Sequence, residues 1–374
     1  MCSDTPVVIA PCGDSMCERY YITLRNVQEY LDGGLLKVQS EGSLMIYRQF
    51  KADGSSQVGI FAAIDVDDCC NGIVLPHENV TGKDDSIQFT LSSSLQAQID
   101  PIMLIYRENT VIDAIIQRIM QEEEPFQEIV NSSSPLQPHC VWSVKCPEDV
   151  CALQDAFEAI DRMYIADGHH RTAAACRYLL LERTKASQGR NIPHSARYLT
   201  ALLFPASHLN VLSYNRCVRS LPIGTTTSTL LERISTVFDI QTLTGSLSVQ
   251  GVIYMYIEHI WYSLRVRPDH CIENIATDPL SGIGCQILLE RLLKPVFGFN
   301  AEDNENSMIY VDGREGAVGV QRLVDCAEAA VGFMVSPVPT TEVMKVADAG
   351  QLLPAKATFF DPKPMSNLLL RLLR

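Results

Sequence analysis

Met163-Tyr-Ile-Ala-Asp-Gly-His-His-Arg171, running without a break into Thr172-Ala-Ala-Ala-Cys-Arg-Tyr-Leu-Leu-Leu-Glu-Arg183, decides the reading of this chain. Met163 to Ala166 is an apolar run of strand length, and Ala173 to Glu182 is rich in strong helix formers with apolar residues at helical spacing. A strand-to-helix turn lies between them. Gly168 suits it, because glycine takes positive φ and lets another group approach the backbone closely. The polar cluster therefore falls at a helix N-terminus, where unpaired amides and partial positive charge gather. With His169, His170 and Arg171 beside those amides, the turn is expected to hold an anion, phosphate before others, and Asp167 supplies a carboxylate for a cation or a proton. The same residues also fit a plain turn, with Asp167 as an N-cap, Gly168 as the turn residue and two surface histidines. Local chemistry alone leaves both readings open.

The composition bounds what such a turn can serve. A chain of 374 residues, 47% hydrophobic and 20% charged, can build two ordinary globular domains. Its formal net charge of -14 repels polyanions, and the order of residues holds no basic patch, so broad nucleic-acid binding is not expected. Thirteen cysteines, none in a CxxC pair or another zinc-finger spacing, read as reduced thiols. Met1-Cys-Ser-Asp-Thr-Pro6 has no basic region and no apolar core of signal length, and no run approaches a membrane span. The expected setting is the cytoplasm, with no membrane association.

The elements on either side follow from turn chemistry and periodicity. A short strand at Val7 to Ala10 and a helix at Tyr20 to Leu31 open the chain. Leu44 to Phe50 and Gln57 to Ile64 flank Asp53-Gly54 as a hairpin. Ile73-Val-Leu-Pro-His-Glu-Asn-Val-Thr-Gly82 is a second polar island, with His77 and Glu78 beside Pro76. A strand at Ile102 to Tyr106, a helix at Val111 to Glu124, a loop at Asn131 to Pro135 and a helix at Glu148 to Ile160 lead back to the central turn. Beyond it come strands at Ala196 to Phe204 and Asn210 to Val218. Composition changes at Leu221-Pro-Ile-Gly-Thr-Thr-Thr-Ser228, which sets the expected domains at 1–221 and 222–374. The second holds a helix at Thr229 to Phe238, paired strands near Val252 to Ile257 and Trp261 to Val266, and a long helix from Leu280 to Val296. Strands at Met308 to Val311 and Ala329 to Val335 and a helix at Thr341 to Ala347 follow. In the closing stretch, Lys356, Thr358 and Lys363 are placed to reach toward an anionic ligand. The fold class is α/β, of the mixed α+β kind.

These residues resemble the domain of unknown function 1015 family over nearly the whole chain. Its hallmark Ala-Asp-Gly-His-His-Arg box, closing a strand after a Trp-containing segment, is similar to Ala166 to Arg171 after Trp142. Its His-Glu box ending in Thr, followed by a Lys-acid-Asp run, is similar to His77, Glu78, Thr81 and Lys83-Asp-Asp85. Its closing segment is similar to Pro354 to Lys363, preceded by Val346-Ala-Asp-Ala-Gly350. Departures fall at Thr172-Ala-Ala-Ala175, where the family carries Tyr-Glu-Thr-Ala, at Ser86 in place of Arg, and at Asn215 in place of His. Ala10-Pro11 and Asp14 resemble the family's early Ala-Pro-Pro-Tyr-Asp segment, with much of what surrounds it there absent. The box also resembles free L-serine kinases and the ParB and sulfiredoxin superfamily, and the resemblance implies an N-terminal ParB-like nucleotide domain followed by a C-terminal α/β domain.

Three functions are weighed on these residues. The first is a Mg²⁺-dependent phosphotransferase on a small hydroxyl metabolite such as serine, with a nucleoside di- or triphosphate (ADP, ATP or CTP) as the phosphate donor. There Gly168, His169, His170 and Arg171 hold the phosphates, Asp167 and Glu78 bind the metal, and Glu78 with His77 and Asp167 carries turnover. The second is a nucleotide-binding switch or nucleotide hydrolase with no small-molecule acceptor. The third, a transition-metal hydrolase on His77, His169 and His170, is weakened because adjacent histidines rarely aim at one ion. The oligomeric state is open.

Overall fold

The computed structural model describes residues 7–9, 32, 37–39, 44–78, 97–98, 100–131, 134–187, 191–245, 247, 251–270, 278–299, 307–365 and 368–372. The expected helix at 20–31 and the motif residues Ala10, Pro11, Asp14, Thr81, Lys83 to Asp85 and Ser86 lie outside them. The chain is a mixed α/β protein that divides into two compact units. The first comprises residues 1–76, 80–209 and 362–374, and the second 77–79 and 210–361.

Among the described residues the first unit is built on an eight-stranded mixed sheet. Its order is Val74–Leu75, Met163–Asp167, Ile102–Tyr106, Tyr198–Pro205, Ser56–Asp65, Met45–Phe50, Ser134–Ser143 and Gln127–Asn131. Ile102–Tyr106 is buried at every position and Tyr198–Pro205 at all but its first, which is what near-continuous apolar runs dictate for central strands. The expected hairpin forms, with Gly54 at φ 83° in its turn. Of the stretch Asn131 to Pro135, expected as a loop, Asn131 ends strand Gln127–Asn131 and Ser134 opens strand Ser134–Ser143, the two being paired, while Ser132 and Ser133 lie outside the described residues. Helices Thr110–Glu122 and Pro147–Glu158 bury Ile112, Ile116, Ile119, Leu153 and Phe157 in the same core as the sheet.

The closing strand Leu369–Leu372 pairs antiparallel with Val7–Ile9, so the end of the chain belongs to the first unit. At the other boundary, Asn215–Val218 pairs with Met308–Val311 and Val331–Met334, which carries 210–221 into the second unit. Both placements differ from a single cut at 221/222. Strand pairing between distant segments leaves no local composition signal.

The second unit holds a six-stranded antiparallel sheet among the described residues, ordered Phe238–Thr242, Ile260–Val266, Ile253–Ile257, Val331–Met334, Asn215–Val218, Met308–Val311. The helix expected over Leu280 to Val296 is segmented into a tight turn at Pro279–Gly282, an α turn at Gly284–Leu288, a π segment at Leu289–Leu293 and a final turn at Lys294–Phe297. Pro295 has no N–H to donate four residues back, so the ladder shifts ahead of it. Helix Gly316–Asp325 has no counterpart among the elements expected from the sequence.

A half-buried histidine, His139, is expected to give the first unit a pH dependence. Tyr47 donates to Gln49 Oε1 at 2.6 Å and meets His139 Nδ1 at 2.7 Å. Because the single phenolic proton goes to Gln49, His139 donates. Burial holds the His139 imidazole below its ordinary pKa. The unfolded chain therefore binds this proton more readily, and the stability held above the unfolded pKa, near 6.5, is lost as pH falls toward the folded value. Melting temperature should fall from pH 7.5 to 5.5 by more in the native chain than in His139→Gln; equal slopes would assign the dependence elsewhere.

Candidate functional site

Strand Met163–Asp167 runs parallel to Val74–Leu75 on one side and antiparallel to Ile102–Tyr106 on the other. Its register shifts between Ile165 and Asp167, so the last step of the strand departs from the regular ladder. Gly168 then takes φ 101° and ψ 26°, and helix His169–Ala186 begins. No side chain caps that helix, and its first turn carries no acidic residue. Thr172 returns to the turn, donating N–H and Oγ1 to the Gly168 carbonyl at 2.9 and 3.1 Å. The turn therefore presents helix-opening amides without a carboxylate within the first turn to neutralise them.

Arg171 is more than an exposed cation. Its Nη1 donates to the carbonyls of Asp100 at 2.6 Å and Pro101 at 2.7 Å, and its Nη2 to Asp167 Oδ2 at 2.7 Å. The guanidinium thus ties the new helix to the strand entering the sheet beside it. Lys363 Nζ reaches the other oxygen, Asp167 Oδ1, at 2.6 Å. One carboxylate is held between two cations.

Lys363 is itself positioned. Gln49 and Gln57 oppose each other across the hairpin, are 1% and 0% exposed, and donate to the Pro362 carbonyl at 2.9 and 3.0 Å. Met365 N–H adds a bond to the Tyr47 hydroxyl at 3.2 Å. Lys363 is legible in the sequence, whereas this cradle is not. Its one signal was a polar pair inside an apolar hairpin, whereas the carbonyls of Asp100 and Pro101 carry no side-chain signature at all.

Of the second polar island, His77 and Glu78 fall in the second unit. His77 is 0% exposed, meets Thr358 Oγ1 through Nε2 at 2.9 Å and stands edge-on to Phe360. Sealed in this way, the ring supports its neighbours. Glu78 pairs in a bridge with Leu353 and accepts from the Lys356 N–H at 3.0 Å. Lys356 holds a left-handed φ of 56°, strained for a residue with a Cβ. Buried Arg216 donates to the Ala355 and Lys356 carbonyls at 3.3 and 3.2 Å. Asn215, 1% exposed, meets Ser213 Oγ at 3.4 Å. Of the expected site residues, then, the first unit brings together Asp167 to Arg171 and Lys363, while His77, Glu78, Lys356 and Thr358 gather in the second.

Among the described residues no three His, Cys, Asp or Glu groups converge as a metal centre. No helix among them is long and apolar enough to cross a membrane.

The family described as protein of unknown function (DUF1015) matches residues 6–286. No curated protein matches the sequence. Distant likenesses among solved structures include SbnI with a C-terminal truncation from Staphylococcus aureus, with a TM-score of 0.43, 12% identity and coverage of 83% of this chain and 87% of that one. A conserved hypothetical protein from Pyrococcus furiosus gives a TM-score of 0.38 and 11% identity over 82% of this chain and 94% of that one. A free serine kinase in complex with AMP gives 0.37 and 12% identity over 80% and 86%. Likenesses this distant assign neither substrate nor reaction.

Proposed function

We propose that this chain, which belongs to the DUF1015 family, binds a nucleoside di- or triphosphate at the Asp167–Arg171 turn and transfers a phosphoryl group to a small hydroxyl metabolite such as serine. The observation that carries the proposal is the uncapped helix opening at left-handed Gly168, flanked by Arg171 and Lys363 on a single carboxylate. Backbone amides of His169 to Arg171 receive phosphate oxygens, and His169 and His170 line the same turn. Lys363, whose side chain is 47% exposed, exchanges Asp167 for phosphate. Phosphoryl transfer asks mainly for this positioning and charge stabilisation.

Mg²⁺ uses one or two carboxylates together with substrate phosphates, and Asp167 is a hard oxygen donor of that kind. It would hold the ion once Lys363 has moved, and the ion would neutralise charge between phosphates. Glu78 is the candidate base, held by the Lys356 N–H, with His77 supporting its backbone. Glu78→Gln should lower kcat at least about 100-fold, the scale of a lost general base. Unchanged turnover would remove Glu78 from catalysis.

A nucleotide switch or hydrolase is the second reading, favoured by one feature: both Asp167 oxygens are engaged by cations. Thermal shift with ADP, ATP and CTP plus Mg²⁺ tests both, because a ligand at about 100 times its Kd adds about 2.7 kcal/mol to the native state. A rise in melting temperature with at least one nucleotide is expected, and no rise with any would contradict both readings. Phosphoserine formed from serine then selects the first, and nucleotide loss without an acceptor the second.

Lys363→Ala separates binding from folding. A half-exposed lysine contributes within about 0.5 kcal/mol to stability, whereas nucleotide affinity should fall about tenfold, or about 1.4 kcal/mol. Wild-type affinity in this variant would exclude Lys363 from the site.

A further inference from the structure

Three free thiols meet in the first unit, away from any role assigned above. Cys69 and Cys70 end the short helix Val66–Cys70, and Cys176 lies on helix His169–Ala186, two turns past the candidate phosphate turn. The Cys176 sulfur shares hydrogen bonds with both Cys69 and Cys70. The same two helices are joined by the Arg183–Asp67 ion pair. Cys69 and Cys176 are half-buried against the core, while Cys70 is exposed and gives solutes access to the cluster.

A thiol bonded to two neighbouring thiols is arranged for chemistry that a lone buried thiol cannot perform. One sulfur can be oxidised and a second can resolve it. We propose that Cys176 is a peroxide-reactive thiol, with Cys69 or Cys70 as its resolving partner, and that oxidation locks the two helices together through a disulfide.

The chemistry balances. The Cys176 thiolate attacks one peroxide oxygen; an S–O bond forms, the O–O bond breaks, and hydroxide leaves and is protonated to water. The second thiol then attacks the sulfenic sulfur. An S–S bond forms, the S–O bond breaks, and the departing hydroxide takes the thiol proton as a second water. Two thiols lose two electrons and one hydrogen peroxide gains them.

Electrostatics supports this division of labour. Hydrogen bonding from Cys69 is the main cause that lowers Cys176 to about 7, with Cys70 adding to it. Cys69 is raised, chiefly by its bond to Cys176, and burial pushes Cys70 up to about 12. The cluster thus stores its thiolate on one sulfur, and a lowered thiol is the nucleophile of the set.

The test uses the full chain treated with hydrogen peroxide, alkylated with iodoacetamide, digested without reductant and mapped by mass spectrometry. A peptide joining Cys176 to Cys69 or Cys70, reversed by dithiothreitol, is expected. In the untreated chain at pH 7, Cys176 should alkylate at least about tenfold faster than exposed Cys146, whose thiol is raised by its bond to Glu148. Cys176→Ser should abolish the cross-link, and Cys176→Ala gives the same readout if the serine variant does not fold. Peroxide oxidation that spares Cys176, or a cross-link among Cys69 and Cys70 that survives both variants, would overturn the assignment. Phosphate binding enters none of these readouts, so this inference stands or fails apart from the proposed function.

Discussion

Gly168→Ala is expected to abolish nucleotide binding and to lower the melting temperature. Two penalties combine. Gly168 sits at φ 101°, where an L side chain is strained by about 1–3 kcal/mol. A Cβ there would also stand 2.7 Å from Ile102 Cγ2 and 3.0 Å from Ile102 Cβ, inside a fully buried strand that cannot yield cheaply. Overpacking of that kind costs a further ~1–3 kcal/mol. Relief requires the turn to shift, and the shift moves the amides that open the helix. Gly54→Ala is the control, since Gly54 has φ 83° and a Cβ added there would meet nothing within 4 Å. That variant carries strain alone and should bind nucleotide as the wild type does. Wild-type binding by Gly168→Ala would show that the turn geometry is not what receives phosphate.

Arg171→Ala carries the second large effect, on folding as well as binding. The sequence alone casts Arg171 as a phosphate ligand. Its bonds to the Asp100 and Pro101 carbonyls and to Asp167 give it a structural task too. Hydrogen bonds to a charged donor contribute about 1.5–3 kcal/mol each, less where water can replace them, as at exposed Asp100. The variant should therefore melt several degrees lower and, titrated well below that temperature, bind nucleotide at least about tenfold more weakly. Arg171→Lys restores the charge but not the fork that spans two carbonyls and a carboxylate, so it should recover part of the affinity and little of the stability. Wild-type affinity in Arg171→Ala would leave Arg171 as a clamp only.

Local features were the legible ones. The strand, the positive-φ glycine and the helix around Asp167 could be read because each is specified by neighbours in sequence. The hairpin at Asp53-Gly54 was legible for the same reason. What the sequence hid was long-range. The partners of Asp167 include Lys363, 196 residues away. The cradle for Lys363 is made by Gln49 and Gln57 through the Pro362 carbonyl, and backbone acceptors have no residue-type signature. His77 shows the converse. A histidine beside a glutamate in a polar stretch reads as a titrating pair, yet burial against Thr358 and Phe360 makes it a packing residue. Segmentation of the helix before Phe297 was foretold by Pro295, which the apolar periodicity around it masked.

The central claim, that the Asp167–Arg171 turn receives nucleotide phosphate, is tested most directly by a crystal structure of the chain with ADP and Mg²⁺. The expected result places β-phosphate oxygens about 2.7–3.2 Å from the backbone nitrogens of His169 to Arg171, with Lys363 withdrawn from Asp167 onto phosphate. ADP bound elsewhere, with the Lys363–Asp167 pair and the turn unchanged, would contradict it.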